Sequence, residues 1–468
     1  LNKRILGLAL PNIVTNITVP LLGMVDMAIV GHLSALHIGA IAIGGQLFNL
    51  IYWNFGFLRM GTSGFAAQAY GAGDMEEAVR IFVRAFSAAS LIALGLLLLQ
   101  WPLSRLALLI FQNSGSEVLQ MALTYFFIRI WAAPATLGLY AVKGWFIGMQ
   151  NSRLPMWIAI FLNLVNIGCS LFFVAVLHWD IAGVAWGTVI AQYCGLAAGL
   201  FFVAKRYGGL FVQYGQRRNA ATIGGWTSLA REILRWDDMR HFFRVNGDIF
   251  LRTVCLATVF TFVTAASGHI SDELLAVDAL LMQFFTLFSY VMDGFAYAGE
   301  SLVGRYIGAR DGQSLRQSVR LLLVWGGILT IAFTALYSVW GDGLLRLFSD
   351  DPGVIGAAQP YLFWTLIIPV CGAAAFLLDG VFVGATASRT MRNSMFAATA
   401  AFFAVYFVLK GLLPEPAASA EAFRRQWNNG LWTAFVTYLA LRGLLQGVCL
   451  RKSVYAKADT PLTKQPAN

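Results

Sequence analysis

Residues 31–74 of this chain recur, imperfectly, at 268–311. Gly31-His32-Leu33-Ser34 returns as Gly268-His269-Ile270-Ser271, Gln46 as Gln283, and Gly71-Ala72-Gly73-Asp74 as Gly308-Ala309-Arg310-Asp311, all at one offset of 237 residues. A second stretch repeats at nearly the same offset: Tyr125, Gly144, Gly148, Ser152 and Arg153 reappear as Tyr361, Gly380, Gly384, Ser388 and Arg389. The chain is two copies of one half, so whatever it folds into is built twice from one plan.

The material of each half decides the class. The chain is 58% hydrophobic and only 12% charged, where a soluble domain carries about 25% charge. Twelve apolar runs are long enough to cross a bilayer core of about 30 Å at about 1.5 Å per helical residue. They lie at about 9–30, 38–66, 84–111, 121–147, 155–178, 182–204, 245–267, 274–304, 318–340, 357–384, 394–413 and 428–450. Alternation of period two is absent, which argues against strands. The expectation is an all-α integral membrane protein of twelve transmembrane helices in two six-helix bundles, related by a pseudo-two-fold axis along the membrane normal. In so apolar a chain, two repeated halves point to a transporter, because substrate sites form between repeats that rock against each other.

A net charge of +10 invites a nucleic-acid reading, but its placement follows the positive-inside rule instead. Arg80 and Arg84, Arg153, then Lys205, Arg206, Arg217, Arg218, Arg231, Arg235 and Arg240, and later Arg305, Arg310, Arg316, Arg389 and Arg392 follow even-numbered spans. Most loops after odd-numbered spans carry little or no Lys or Arg; Arg346, Lys410, Arg424 and Arg425 are the exceptions. Both termini and the central loop are therefore expected to be cytoplasmic, with bundles at 1–204 and 245–450, a linker at 205–244 and a tail at 451–468. In the linker, Trp226, Leu229, Ile233 and Trp236 recur at helical spacing, as in a helix lying on the membrane surface. Cys169, Cys194, Cys255, Cys371 and Cys449 all fall inside spans without CxxC spacing. They read as packing residues, neither disulfides nor metal ligands.

Ionisable groups at membrane depth cost about 2.5–3.5 kcal/mol each and need a reason. Asp26 is the clearest, in the first span with no Lys, Arg or His within a helical turn. Burial disfavours its charged form, as a proton carrier requires; a neutral Asp bonded to a neighbouring helix is the plainer alternative. Span 5 carries Asn163, Asn166 and Ser170 on one face, and span 6 offers Thr188 and Gln192 four apart. These could line a polar cavity beside Asp26, or serve interhelical hydrogen bonds alone. Pro11 and Pro20 flank the first helix; each frees a carbonyl and permits bending, which makes them candidate hinges. In the second half, Asp248 and Arg252 are most simply an i,i+4 ion pair. Asp278, Asp293 and Glu300 belong to span 8, the last two on one face with Tyr290 and Tyr297, and Asp379 sits in span 10. These acids could hold a cation or fasten gates. Gly144/Gly148 and Gly380/Gly384 are expected to let helices pack closely.

The lone Asp26 in span 1, the Gly-Ala-Gly-Asp loop after span 2 and the repeat of six spans resemble the MATE family of multidrug and toxin extrusion transporters. The second half is similar to its DinF branch, through Val245-Asn246-Gly247-Asp248-Ile249-Phe250-Leu251-Arg252-Thr253, Met292-Asp293-Gly294-Phe295-Ala296-Tyr297-Ala298-Gly299-Glu300, Leu378-Asp379-Gly380-Val381-Phe382-Val383-Gly384-Ala385-Thr386 and Met391-Arg392-Asn393-Ser394-Met395. The resemblance implies a V-shaped pair of bundles that alternates its access. It further implies antiport, in which a proton or sodium ion enters as an amphipathic, often cationic, compound leaves. Asp26 matches the family's protonatable aspartate, Pro11 the proline where that helix bends, and Asn166 and Thr188 the polar residues beside the aspartate. Ser170 departs from the aspartate common there, which favours a single-carboxylate proton site over sodium.

The resemblance thus implies no enzyme and no cofactor beyond the coupling ion, H+ or alternatively Na+. It also implies drug-like small molecules and the lipid bilayer as partners, no nucleic acid, a sufficient monomer, and a multi-pass place in a bacterial inner membrane. A lipid-linked precursor flippase is the competing transporter, disfavoured because the cavity candidates considered are acidic or neutral. A membrane enzyme is disfavoured because HExxH, GxSxG and clustered His or Cys are absent.

Overall fold

A computed structural model describes residues 1–31, 35–111, 115–217, 233, 235–412 and 420–459. The proposed amphipathic segment around Trp226 and Leu229, the loop residues 32–34 and the tail from 460 on lie outside the described residues. Among the described residues there is no strand, and 12 helical stretches are long and apolar enough to cross a membrane. All twelve expected spans are present.

The helices are α1 (Asn2–Gly31), α2 (Ala35–Asn54), α3 (Phe57–Ala72), α4 (Met75–Leu98), α5 (Gln100–Ile110), α6 (Ser116–Arg129), α7 (Ala133–Gly148), α8 (Arg153–Leu171) and α9 (Asp180–Arg217) in the first half. The second half holds α10 (Trp236–Ile270), α11 (Asp272–Gly308), α12 (Gly312–Phe348), α13 (Pro352–Ala358), α14 (Leu362–Gly384), α15 (Ser388–Gly411), α16 (Ala420–Leu450) and α17 (Ala456–Asp459). The third span departs from its expected 84–111: it is α4, and α5 is a separate helix. Pro102 explains the break, since it has no N–H for the carbonyl of Leu98 and is tolerated only in the first turn of a new helix.

Two compact units form, one of Leu10–Asn246 and one of Leu1–Ala9 with Gly247–Asn468. Both boundaries fall inside helices, α1 beside Pro11 and α10 at Asn246-Gly247. In the first unit, α7 packs on α3 and α4, α2 on α6, and α8 on α9. Its core is aromatic at the centre. Trp145 is fully buried, donates to the Ala78 carbonyl at 2.8 Å, and meets Phe82 edge-on at 5.3 Å. In the other unit, α14 is the central helix, packed on α11, α12 and α16, with α15 on α16.

The repeat extends to the backbone. A Cβ on Gly144 would strike the backbone of Arg59, and one on Gly148 would lie 2.8 Å from the Ser63 carbonyl. In the second half, Gly380 presses on the carbonyl of Ala296 and Gly384 on that of Glu300. The glycine pairs seat α7 on α3 and α14 on α11, the close packing expected of GxxxG. The turns repeat as well. Gly73 (φ 74) is matched by Arg310 (φ 55), and Gln150 (φ 61) by Thr386 (φ 48). Asp74 caps α4 through the Glu77 N–H at 2.9 Å, and Asp311 caps α12 through the Ser314 N–H at 2.9 Å.

Candidate functional site

The first unit gathers polar groups around Asp26. α1 runs through Pro11 and Pro20 without interruption, and is tied to the start and middle of α8. Asn12 donates to Ser152 at 3.0 Å, and Asn163 donates to the carbonyl of Thr18 at 2.8 Å. Pro20 offers no N–H to the carbonyl of Asn16, so the ladder is weak there, and Asn163 braces the helix at that turn.

Asp26 is 3% exposed. One carboxyl oxygen, Oδ1, has no hydrogen-bond partner among the described residues, and Thr188 lies beside the carboxyl. Thr188 also accepts from the Asn166 amide at 3.1 Å and bonds the Val184 carbonyl at 3.1 Å. Its hydroxyl has one proton, which goes to the Val184 carbonyl. Ser170 is fully buried where α8 closes on Gly187 of α9, and its hydroxyl has no partner among the described residues. The structure therefore brings Asp26, Asn166 and Thr188 together and places Asn163 on the α1 backbone. Gln192 is half-buried and takes no part in these bonds.

One member escaped the sequence reading. Arg129, at the end of α6, lies within electrostatic reach of Asp26. It donates to Tyr125 Oη at 2.5 Å and stacks over Phe48 at 4.9 Å. The signal was present, an arginine inside an apolar run, but it lies about a hundred residues from Asp26 in sequence.

The second-half acids have partners other than those expected. Asp248 does not pair with Arg252. It accepts from Arg392 at 2.6 Å and Ser388 at 2.8 Å, joining α10 to α15. Arg252 turns instead to Asp379 of α14. Asp379 is 5% exposed and also accepts from Arg442 and, at 2.6 Å, from Gln446, both on α16. Two guanidiniums face one carboxylate, so this cluster is net positive. Beside the acidic and neutral candidates read from the sequence, the structure sets Arg129 near Asp26 and Arg252 and Arg442 on Asp379. Glu300 is 1% exposed, beneath Gly384. Asp293 is half-buried and lies within electrostatic reach of Tyr290. No cluster of three or more His, Cys, Asp or Glu suited to a metal occurs among the described residues.

A model of the MatE family matches the chain twice, over residues 11–172 and 249–409, once in each half. The chain is 36% identical over 452 residues to DNA damage-inducible protein F of Escherichia coli (strain K12), covering 95% of this chain and 90% of that protein. It is 26% identical to human Multidrug and toxin extrusion protein 1 over 75% of this chain and 59% of that one. Its fold is similar to the bent form of the Vibrio cholerae MATE transporter VcmN, with a TM-score of 0.80 at 18% identity over 97% of each chain. It is equally similar to a MATE in a straight conformation, with a TM-score of 0.80 at 18% identity over 98% of this chain and 97% of that one.

Proposed function

This chain belongs to the MatE family of multidrug and toxin extrusion transporters, and on that premise we propose that it is a proton-coupled antiporter that exports amphipathic, often cationic, compounds by alternating access. Asp26 carries the proton. The supporting observation is the contrast between two buried carboxyls. Asp379 has both carboxyl oxygens engaged, Oδ2 by Arg252 and Arg442 and Oδ1 by Gln446, and the two guanidiniums oppose a sodium ion there. Asp26 keeps one oxygen without a partner among the described residues.

Arg129 sharpens the choice of ion. Its positive charge opposes a metal cation beside Asp26, whereas a proton bonds to the carboxyl and removes its charge. The exchange needs differential affinity, since only a ligand that prefers one state shifts the equilibrium. Protonated Asp26 favours a bent α1, with Pro11 and Pro20 as hinges, and the cargo is released from that state. Similar proteins described in bent and straight conformations support a two-state molecule. The driving energy is about 2.3 kcal/mol per charge per 100 mV, with the pH gradient added. The chain works in a bacterial inner membrane with both termini cytoplasmic, as its loop charges favour.

A sodium-coupled antiporter is the second reading. It is favoured by three buried oxygens without partners among the described residues, those of Asp26, Asn166 and Ser170. The test is efflux of a fluorescent lipophilic cation from proteoliposomes carrying wild type or Asp26→Asn. Proton-driven efflux is lost in Asp26→Asn while the protein folds normally. Normal pumping by Asp26→Asn would remove the assignment.

A further inference from the structure

Asp278 on α11 is a buried acid for which the mechanism above has no use. It is 3% exposed. Its Oδ1 accepts from Asn428 at 3.0 Å and from Trp432 at 2.7 Å, both on α16, and its Oδ2 meets the Ser267 hydroxyl of α10 at 2.5 Å. All three partners are neutral. The titratable group facing it from the start of α14 is Tyr361, with exposed Arg425 and Glu273 beyond. Tyr337 of α12 is engaged with the Phe284 carbonyl at 2.7 Å, and α13 carries no titratable residue.

Proton accounting shows what this arrangement permits. Ser267 Oγ also lies 2.9 Å from the carbonyl of Val263, and it has one proton to give. When Oδ2 is protonated, Asp278 donates to Ser267, whose own proton goes to Val263. When Oδ2 is ionised, Ser267 turns to the carboxylate and releases the Val263 carbonyl. The Asn428 and Trp432 donors stay satisfied in both states, so the acid changes its proton without orphaning a buried group.

Asp26 has a related neighbour: the Thr188 hydroxyl beside it donates to the Val184 carbonyl four residues back and accepts from Asn166. At the 237-residue offset Asp26 corresponds to Val263, one helical turn before Ser267. Asp26 is thus supplied by the leading helix of its half, whereas Asp278 is set against the corresponding turn of α10 by the next helix.

We propose that Asp278 is a second proton-exchanging carboxyl, with Ser267 the hydroxyl that couples its proton to the α10 backbone. The inference rests on the proton-coupled reading above. Asp278→Asn is a usable probe because its Oδ1 can accept from Asn428 and Trp432 while its Nδ2 donates to Ser267, copying the neutral acid. Protons released when tetraphenylphosphonium binds the purified full-length protein would be counted with a pH dye in weak buffer. Wild type releases more than Asp26→Asn, Asp278→Asn loses the remaining portion, and the double variant releases none. Ser267→Ala keeps that portion but moves its pH midpoint, which a purely structural hydroxyl would not do. Release left whole by Asp278→Asn, with melting unchanged, contradicts the Asp278 site alone. A wild type that releases no proton contradicts proton coupling itself, and Asp278 with it.

Discussion

Asp26 and Asp379 are both aspartates on apolar helices and both almost fully buried, yet their surroundings assign them different work. Asp379 is held by two arginines and a glutamine; removing one member of a buried ion pair leaves uncompensated charge and costs about 3–5 kcal/mol. Asp379→Ala is therefore expected to lower thermal stability in detergent by that order, whereas Asp26→Asn, which removes no ion pair, leaves melting nearly unchanged. Asn163→Ala deletes the brace on the Thr18 carbonyl. It is expected to cost about 1 kcal/mol, the typical net worth of a hydrogen bond, and to slow transport by loosening α1. Asp26, Asn166 and Thr188 were legible because helical spacing puts polar residues on one face. The true partner of Asp379 was not, because Arg252 lies 127 residues away while Asp248 offered a nearer partner for Arg252 at i,i+4.

Among the elements, twelve spans were legible because length and apolarity alone define them. Their ends were not. α9 continues to Arg217 and α10 begins at Trp236, since a helix already formed continues through polar residues where hydropathy stops marking it. Glycine contacts and turn geometry carry their own predictions. Gly144→Ala drives a methyl into the Arg59 backbone and is expected to cost about 1–3 kcal/mol, as overpacking does, read by thermal unfolding. Arg310 occupies the left-handed region where its counterpart is Gly73. Arg310→Gly is expected to raise stability by about 1 kcal/mol through relief of that strain.

Asp311 caps α12 outside the membrane span, and the Ser314 side chain and backbone hold its carboxyl below the usual value. A depressed folded value means its contribution is present above the ordinary carboxylate pKa and lost as pH falls through the folded one. The cost of Asp311→Ala, about 1 kcal/mol at neutral pH by capping precedent, is expected to fade on acidification in the same melting experiment.

At the scale of the whole molecule, the repeat predicts symmetry that chemistry then breaks. Glycine seats, caps and left-handed turns occur in both halves, but Asp26 faces Arg129 while the second half buries a net-positive cluster around Asp379. A pair of identical bundles would bind ion and cargo alike, and exchange requires that they not stabilise the same state equally. Proton coupling centred on the first half is the claim on which the account depends. The most direct measurement is efflux of a fluorescent lipophilic cation from proteoliposomes under a proton gradient or a sodium gradient imposed separately. The account predicts transport with the proton gradient alone, abolished by Asp26→Asn. Transport driven only by sodium would contradict it.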